Sequence, residues 1–425
     1  MRLLVDMTET ALHGYHTGIQ RVVRNVVVRL PQLSETFGVE MVPVVAIGRH
    51  LHAIVDPAAA IAPRPSAAPD AAPEAVPLRR CRHGLRQAIE RLPGAAALLR
   101  PWRRHRLYQP VRALRRRPLS LNPTDRYLVL DSFWGRSTVV DALAAARGRG
   151  VRAAVVMYDL IPVSHPQFCD PRVARDFQRD APRVLSLANA VVAISATVAG
   201  QVRDYAAQAI TGWDPQRCPV GFFHLGADFI PAADPTAAEW PGWPNGLWAD
   251  RPVFLMLGTL EPRKGHAFVL DAFEQRWQQG ATEGLLFLGS LAAGMAETHA
   301  RLAAIAQEGR PFWHLRGVPD SAVATAIRRS RAGIVASCVE GFGLPIVEFM
   351  QMGLPVLASD IPVFREVGGD LPIYFSLDRA GGLGAALDSF YRRESALRQT
   401  LLDFRWPNWD AAAETLLRQV LELTA

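Results

Sequence analysis

The sequence predicts an α/β protein built from two doubly wound, Rossmann-like domains. Short apolar runs of strand length alternate with segments of helical periodicity, and this alternation occurs in two separate series. A stretch with four prolines and three tryptophans, residues 231–250, divides the two series. The chain has 425 residues, of which 49% are apolar, enough for two or three packed domains. We therefore expect an N-terminal domain over residues 1–235 and a C-terminal domain over residues 250–405.

The first series begins with a strand at residues 3–5 and a polar loop. Gly18 then opens a helix, because the apolar residues that follow it are spaced as on one helix face. The free backbone N–H groups at such a helix start can bind an anion. Further strands are predicted at 41–47, 127–130, 153–157 and 190–194, and helices at 138–146 and 171–187. Alternating strands and helices of this kind indicate a parallel sheet covered on both faces.

Residues 56–121 interrupt the first series and read as an insertion. Residues 56–77 are rich in alanine and proline, as in a flexible linker. Residues 79–117 hold thirteen arginines and one acid, Glu90, a charge of +12 in a chain whose net charge is +7. Short helical patterns occur at 84–92 and 101–114. Three interpretations stay open: an anionic membrane surface, a solvated face or protein contact, and nucleic acid, which is the least favoured.

The second series predicts strands at 253–257, 285–288, 313–315, 333–335 and 355–358, and residues 406–423 then form an amphipathic helix. Ligands of doubly wound sheets bind outside the carboxyl ends of the strands. Two such domains facing each other would form a central cleft that binds the ligand.

Several classes of protein are excluded by the composition. No apolar run approaches the ~18 residues that a spanning helix needs. The start of the chain reads as a strand and not as a secretion signal, and the four cysteines have no metal or redox spacing, so we expect a cytoplasmic protein with reduced thiols. No strand–GxGxxG–helix unit is found, which argues against a dinucleotide-dependent oxidoreductase.

The first candidate motif follows the predicted strand 253–257 and runs from Gly258 to Gly265. Its Arg263 and Lys264 offer a guanidinium fork and a compact ammonium group, a pair that suits a diphosphate. Lys264 is the only lysine of the chain, against 46 arginines (47 − 1 = 46). This contrast favours a specific need for the ammonium group.

The second candidate motif, Glu340-Gly-Phe-Gly-Leu-Pro-Ile-Val-Glu348, follows the strand ending near residue 336. Its two glycines let the backbone approach a ligand closely, and Pro345 suits the first turn of a helix. Two carboxylates would then bracket a row of backbone N–H groups. Since carboxylates can accept hydrogen bonds from vicinal hydroxyls, the motif predicts a site for a nucleotide sugar.

The pattern from Glu340 to Glu348 resembles the E-x7-E motif of retaining glycosyltransferases of the glycosyl transferases group 1 family, which have the GT-B fold. The loop from 258 to 265 resembles the G-x-x-E-x-R-K loop of that family, and Thr17-Gly18-Ile19 resembles its N-terminal glycine loop. Residues 56–121 match nothing in the family. The resemblance implies that the terminal helix, 406–425, packs back on the N-terminal domain.

The resemblance also implies a role for each matching position. Arg263 and Lys264 would hold the donor diphosphate, Glu340 the hexose hydroxyls and Glu348 the ribose hydroxyls. The remaining donor contacts would come from Gly18, Thr259, Gly317, Val318, Gly341, Phe342, Gly343 and Leu344. Anomeric configuration would be retained, and neither a metal nor another cofactor is expected.

One position departs from the family pattern. Many members carry His-Asp at the end of the middle N-domain strand, where this chain has Tyr158-Asp159. Asp159 is thus a candidate for acceptor positioning, with loop capping as the alternative, and His165 could replace the missing imidazole.

We therefore expect a retaining hexosyltransferase acting on a glycan or glycolipid acceptor in surface polysaccharide synthesis. GDP-mannose or a GDP-deoxyhexose is the favoured donor, and UDP-sugars remain open. The enzyme could lie on the inner membrane face through residues 79–117, and no nucleic acid partner is expected. The alternative is a catalytically silent sugar-nucleotide-binding or scaffold protein on the same fold, for which Tyr158 is the main support.

Overall fold

The structure is a computed structural model, and it describes residues 1–12, 17–61, 114, 117–228, 240–249, 251–292, 295–379 and 381–425. The described chain divides into two compact units. The first comprises residues 1–156, 183–190 and 423–425, and the second residues 157–182 and 191–422. Most of the predicted insertion, 56–121, lies outside the described residues, including the helical pattern at 84–92 and all of the pattern at 101–114 except residue 114.

A seven-stranded sheet has the strand order β3-β2-β1-β4-β5-β6-β7. Its strands are β1 Arg2–Asp6, β2 Glu40–Ile47, β3 His50–Ala53, β4 Arg126–Val129, β5 Arg152–Met157, β6 Ala190–Ala193 and β7 Val220–Phe222. The strand order reverses between β1 and β4, and β1 pairs in parallel with β2 on one side and with β4 on the other, in the doubly wound manner. The runs predicted as buried strands are buried: Leu3, Leu4 and Val5 have no exposed surface.

Three of the helices around this sheet were predicted: the helix that Gly18 opens and those at 138–146 and 171–187. The helices of this half are α1 Thr8–Leu12, α2 Gly18–Val27, α3 Leu30–Phe37, α4 Pro57–Ile61, α5 Ser137–Arg147, α6 Ile161–Ser164, α7 Pro171–Leu187 and α8 Ala196–Ala209. In α2 the apolar positions Val22, Val23, Val26 and Val27 are buried, as the spacing predicted. Residues 57–61, expected to be linker, form the short helix α4 instead.

A six-stranded parallel sheet has the order β10-β9-β8-β11-β12-β13 and reverses between β8 and β11. Its strands are β8 Val253–Leu257, β9 Gly284–Leu288, β10 Phe312–Leu315, β11 Ala332–Val335, β12 Val356–Ser359 and β13 Ile373–Phe375. Its helices are α9 His266–Gln278, α10 Ala296–Gln307, α11 Asp320–Arg329, α12 Leu344–Gln351, α13 Pro362–Gly368 and α14 Gly382–Leu401. The core between strands and helices is apolar and includes Phe254, Phe273, Phe287 and Phe390.

The last helix, α15, runs from Trp409 to Leu423. Its first residue, Trp409, is buried, and the Trp409 backbone N–H donates to the Asp228 carboxylate at 3.1 Å. Gly226 packs so closely here that a Cβ on it would lie 2.5 Å from the Trp409 nitrogen. Residues 225–228 therefore fix the start of the terminal helix.

The sequence missed three short strands. β3 is an edge strand and runs antiparallel to β2, whereas a fully parallel sheet was expected. β7 and β13 have only three residues each, too few to show a periodicity. Among the described helices, none combines the length and apolar character needed to cross a membrane.

Candidate active site

The reversal of strand order in the six-stranded sheet brings the two predicted motifs together. The arginine–lysine loop, residues 258–265, follows β8, and the glycine loop, residues 341–344, follows β11. β8 and β11 are neighbours, and both run in the same direction, so their carboxyl ends meet at one edge of the sheet. This is the crevice where doubly wound sheets bind their ligands.

Gly265 fixes the end of the arginine–lysine loop against β11. Residues Pro262–Lys264 form one 3-10 turn, and Gly265 follows in the left-handed region with φ of 73°. A Cβ on Gly265 would lie 2.2 Å from the Ala336 carbonyl oxygen, just past β11. Only glycine allows this approach, because the conformation and the space both exclude a side chain.

Arg263 and Lys264 share one carboxylate, that of Glu340. An Arg263 nitrogen lies 2.7 Å from Glu340 Oε2, and the Lys264 ammonium binds Oε1 of the same group. Glu261 forms a second ion pair with Arg263 at 2.6 Å. The Ser337 hydroxyl donates to Glu340 Oε1 at 2.9 Å. The structure thus places three predicted site residues in one ion cluster.

The charges of the cluster shift the pKa values of Glu340 and Arg263. Burial alone would raise the pKa of Glu340, but Lys264 and Arg263 oppose it and lower that pKa to about 2. For Arg263, burial lowers the pKa, while Glu340 and Glu261 more than compensate and raise it above its ordinary value. Two cations therefore face two carboxylates, those of Glu340 and Glu261.

The backbone ties the two loops to each other as well. The Cys338 N–H donates to the Arg263 carbonyl at 2.9 Å, and an Arg263 guanidinium nitrogen donates to the Val339 carbonyl at 3.2 Å. Arg263 therefore has a fixed place between the loops, because its own backbone and side chain both contact the residues before Glu340. Such preorganisation is what an electrostatic site requires.

The glycine loop leads into α12 as the motif predicted. Gly343 is left-handed with φ of 107°, and Pro345 occupies the first turn of the helix that begins at Leu344. A Cβ on Gly343 would lie 2.8 Å from the Phe364 ring. Glu348 lies one turn into α12 and is 4% exposed. The two glutamates of the motif thus differ in position, since Glu340 belongs to the ion cluster and Glu348 to the buried side of the helix.

Asp159 and Tyr158 pack directly against Gly341. A Cβ on Gly341 would lie 2.1 Å from the Tyr158 carbonyl oxygen and 3.2 Å from Asp159 Cβ. Asp159 Oδ1 accepts the Ile161 N–H at 3.0 Å, which caps the start of α6. Burial raises the pKa of Asp159, and the Ile161 N–H and Arg263 partly offset the rise. Asp159 therefore caps a loop and also lies within electrostatic range of Arg263.

The other predicted donor contacts are placed as follows. Thr259 is exposed in the arginine–lysine loop, and Gly317 and Val318 follow β10, with Gly317 left-handed at φ of 64°. Gly18 starts α2 in the first unit, with open space where its Cβ would be. His165 bonds to the neighbouring Ser164 hydroxyl and stacks on Phe168.

Sequence reasoning overlooked several residues around the two loops. Glu261 lies inside the quoted motif, so its position between a strand end and two cations could have identified it. The contacts of Ser195, His224 and Glu366 with the glycine loop or its neighbours come from segments distant in sequence, and no local pattern marks them. Among the described residues, no group of three or more His, Cys, Asp or Glu is arranged to hold a metal.

A comparison with known protein families matches the part of the chain that contains the two loops. Residues 243–373 match the family model described as glycosyl transferases group 1. This range contains both the arginine–lysine loop and the glycine loop.

Two relatives are mannosyltransferases by name. The chain is 32% identical over 293 residues to the serotype-specific mannosyltransferase WbdA of Escherichia coli, a match that covers 67% of this chain and 35% of the relative. It is 30% identical over 198 residues to the phosphatidyl-myo-inositol mannosyltransferase of Mycobacterium tuberculosis (strain ATCC 25618 / H37Rv), covering 43% of this chain and 49% of the relative. The chain thus spans about a third of the length of WbdA.

Solved structures show the same architecture at low sequence identity. Alr3699/HepE of Anabaena, solved in complex with UDP and glucose, aligns with a TM-score of 0.55 at 13% identity, over 100% of this chain and 97% of that one. Sucrose-phosphate synthase of Thermosynechococcus elongatus aligns with a TM-score of 0.58 at 15% identity, over 100% and 99% of the two chains.

Proposed function

This chain belongs to the glycosyl transferases group 1 family and has the GT-B fold, and on that premise we propose that it transfers a hexose from a nucleotide sugar to a glycan or glycolipid acceptor. The observation that carries the proposal is the ion cluster of Arg263, Lys264 and Glu340 at the switch point between β8 and β11. A paired guanidinium and ammonium group at this place suits the diphosphate of an activated sugar.

The chemistry follows from the charges that transfer creates. Breaking the bond between sugar and phosphate develops positive charge on the sugar and negative charge on the departing phosphate. Arg263 and Lys264 would stabilise that negative charge, and one donor of this kind is typically worth about 10²–10³ in rate. Exclusion of water from the site would strengthen the effect.

Glu340 would change partners when the donor binds. Its carboxylate binds Arg263 and Lys264 in the structure, whereas a diphosphate would bring its own negative charge to these cations. We expect the phosphates to replace Glu340 at the cations and leave its carboxylate for hydroxyls of the hexose. Glu348 would bind the ribose hydroxyls, and backbone N–H groups of residues 341–344 would bind phosphate and sugar.

The favoured donor is GDP-mannose or a GDP-deoxyhexose. Two named mannosyltransferases among the relatives support mannose, and a further relative of 28% identity is the O-antigen chain mannosyltransferase B of Escherichia coli. These names support an acceptor in O-antigen or a related surface glycan. A UDP-sugar stays as the second choice, since HepE was solved with UDP and glucose.

A direct test is a transfer and hydrolysis assay with the whole chain and GDP-mannose, GDP-fucose, UDP-glucose and ADP-glucose, read by mass spectrometry. We expect release of GDP from GDP-mannose above the rate of the uncatalysed control. A thermal-shift series with GDP, UDP, ADP and dTDP reports binding separately, because a ligand that binds the native state raises the melting temperature. The absence of both nucleotide binding and release, with every donor in the series, would reject the proposal.

The catalytically silent alternative depends on Tyr158, which stands where many family members have histidine and is 6% exposed. Nucleotide binding without hydrolysis or transfer would favour this alternative. If transfer occurs, the proton NMR signal of the product's anomeric proton tests retention. Turnover unaffected by EDTA would support the expectation that no metal is required.

Membrane contact through residues 79–117 is a separate proposal that rests on the +12 charge of that segment. Co-sedimentation with vesicles that contain anionic lipid, compared with neutral vesicles, tests it. We expect binding to anionic vesicles that weakens with salt. Equal binding to both vesicle types, or none, would reject it.

A further inference from the structure

The Glu366 carboxylate binds two separate parts of the second unit. Glu366 lies on α13, and its Oε1 accepts the Ala196 N–H at 2.7 Å, while its Oε2 accepts the Thr197 N–H at 2.8 Å and the Thr197 hydroxyl at 2.6 Å. The His224 imidazole lies 2.8 Å from Oε1. Both oxygens are therefore fully used, and the side chain is 15% exposed.

These contacts organise the start of α8. The N–H groups of the first turn have no partner within a helix, and Glu366 supplies an acceptor for two of them. Its negative charge also matches the positive end of the helix dipole. Burial would raise the pKa of Glu366, but the hydrogen bonds from His224, Thr197 and Ala196 lower it to about 2. The carboxylate thus stays ionised wherever the protein is folded near neutral pH.

Ser195, the N-cap of α8, connects this helix start to the glycine loop. Its hydroxyl accepts the Val198 N–H at 3.1 Å and donates to the Gly341 carbonyl at 2.9 Å. Ser195 is completely buried. Gly341 on its other side packs against the Tyr158 carbonyl. The backbone next to Glu340 is therefore held from two sides.

The second Glu366 contact leads to the same loop. The His224 ring packs on Phe342 with 5.8 Å between ring centroids and on Trp406 with 5.4 Å. The Phe342 and Trp406 rings lie 6.0 Å apart, and Phe342 is 3% exposed. Trp406 Nε1–H donates to the Leu225 carbonyl at 2.8 Å, and this hydrogen bond fixes the Trp406 ring. Glu366 therefore supports both Gly341, through α8 and Ser195, and Phe342, through His224.

We infer that Glu366 and Ser195 are positioning residues, which hold residues 341–344 in the conformation that binds the donor although neither side chain belongs to the ion cluster. The effect of that conformation on catalysis rests on the proposed function. The contacts that hold the conformation do not depend on it. A loop that must place several N–H groups on a phosphate gains rate from being fixed before the ligand arrives.

Hydrogen exchange of the whole chain without ligand tests the positioning directly. Exchange of amides 341–344 reports local opening of the loop. We expect Glu366→Ala and Ser195→Ala each to raise the exchange rate of these amides at least tenfold. Glu394→Ala is the matched control, because Glu394 lies on α14, is 13% exposed and binds two cations, Arg398 on the same helix and Arg331 just before β11. Glu394→Ala should lower the melting temperature and leave the exchange rates of amides 341–344 unchanged.

Kinetics provide the second measurement. With the donor that the parent protein uses, we expect kcat to fall at least tenfold in both variants at a temperature well below their melting points, with a smaller change in KM for the acceptor. Ser195→Thr keeps the hydroxyl and the N-cap, and should recover most of both the protection and kcat. If a residue only stabilised the fold, its replacement would lower the melting temperature without changing kcat at the assay temperature.

The outcomes separate this inference from the proposed function. Unchanged exchange at 341–344 in both alanine variants overturns the inference, and so does an equal rise in Glu394→Ala. Faster exchange in the two variants alone supports it. If the loop responds in this way while the parent shows no transfer or hydrolysis with any donor, then the positioning role stands and the proposed function fails.

Discussion

The two sheets of this chain reverse strand order in the same way but carry opposite chemistry at the point of reversal. In the seven-stranded sheet, β1 and β4 end near two buried carboxylates, Asp6 and Asp131. In the six-stranded sheet, β8 and β11 end near Arg263, Lys264 and Glu340. Topology alone therefore creates the crevice, and the side chains decide which ligand suits it.

The pKa values express this difference. Asp6 accepts hydrogen bonds from the Tyr127 hydroxyl and the Thr8 N–H, yet burial keeps its pKa above the ordinary value. Burial likewise raises the pKa of Asp131 to about 6, although it accepts the Thr10 N–H at 2.6 Å and the Ser132 N–H at 2.8 Å. Glu340, whose side chain is 12% exposed, has a pKa of about 2 because Lys264 and Arg263 bind its carboxylate. The first site is suited to hydroxyl groups and the second to an anion.

The largest expected effect is a loss of turnover when a cation is removed near the reversal of strand order in the six-stranded sheet. Lys264→Ala and Arg263→Ala should each reduce kcat about 10²–10³-fold, because each removes one cation from the departing phosphate. Both variants should stay folded with a lower melting temperature, since Glu340 loses one of its two cationic partners and keeps the other. Steady-state kinetics and a thermal melt measure the two quantities.

Arg301→Ala serves as the control for these variants. Arg301 pairs with Asp271 and with Glu274 at 2.8 Å, and it lies on α10 and not in the two loops. It should retain parental turnover. Near-normal turnover in both Lys264→Ala and Arg263→Ala would reject the assignment of the diphosphate to this cluster.

Glu340→Gln should change the acid side of the stability profile. A carboxyl group with a pKa of about 2 in the folded protein and an ordinary value of 4.5 stabilises the fold above pH 4.5 and loses that effect as pH falls towards 2. The full contribution is roughly 3 kcal/mol at about 1.4 kcal/mol per pKa unit. Urea denaturation at pH 3 to 6 should therefore show a smaller rise in the free energy of unfolding for the variant than for the parent. Parallel profiles would contradict the ion cluster.

Asp131→Asn should change the profile with the opposite sign. The ordinary pKa of 3.8 rises to about 6 on folding, so the unfolded chain loses its proton first as pH increases. The free energy of unfolding therefore falls between pH 4 and 6, by roughly 2–3 kcal/mol from this group. The variant cannot ionise and should lack that fall in the same urea titration. A variant profile that still falls by the parental amount would assign the effect to another group, such as Asp6.

Much of the fold could be predicted from the sequence because its strands are buried on both faces. Such strands appear as continuous apolar runs, as at 3–5 and 253–257, and both are strands in the structure. The antiparallel strand β3 was missed because His50-Leu-His-Ala has no such run. Its pairing with β2 depends on contacts that local sequence does not encode.

The candidate site divides in the same manner. Arg263, Lys264 and Glu340 were predicted because each follows a strand within a recognisable motif, and the structure brings them together. The support of the glycine loop by Ser195 and Glu366 joins residues 146 positions apart in one hydrogen bond and 170 in another. Such contacts require the tertiary structure.

The smallest predicted effect concerns the close approach of the arginine–lysine loop to the end of β11 in the six-stranded sheet. Gly265 and Gly353 both have φ of 73°, but a Cβ on Gly265 would meet the Ala336 carbonyl at 2.2 Å, whereas one on Gly353 would meet nothing within 4 Å. Both alanine variants pay about 1 kcal/mol for the left-handed conformation, so the difference between them measures the contact. We expect Gly265→Ala to lower the free energy of unfolding by about 2 kcal/mol more than Gly353→Ala, within the range for overpacked sites. Equal losses in urea denaturation would show that the arginine–lysine loop can move away from β11, and that the closeness of the two loops is not what distinguishes this reversal point from the first.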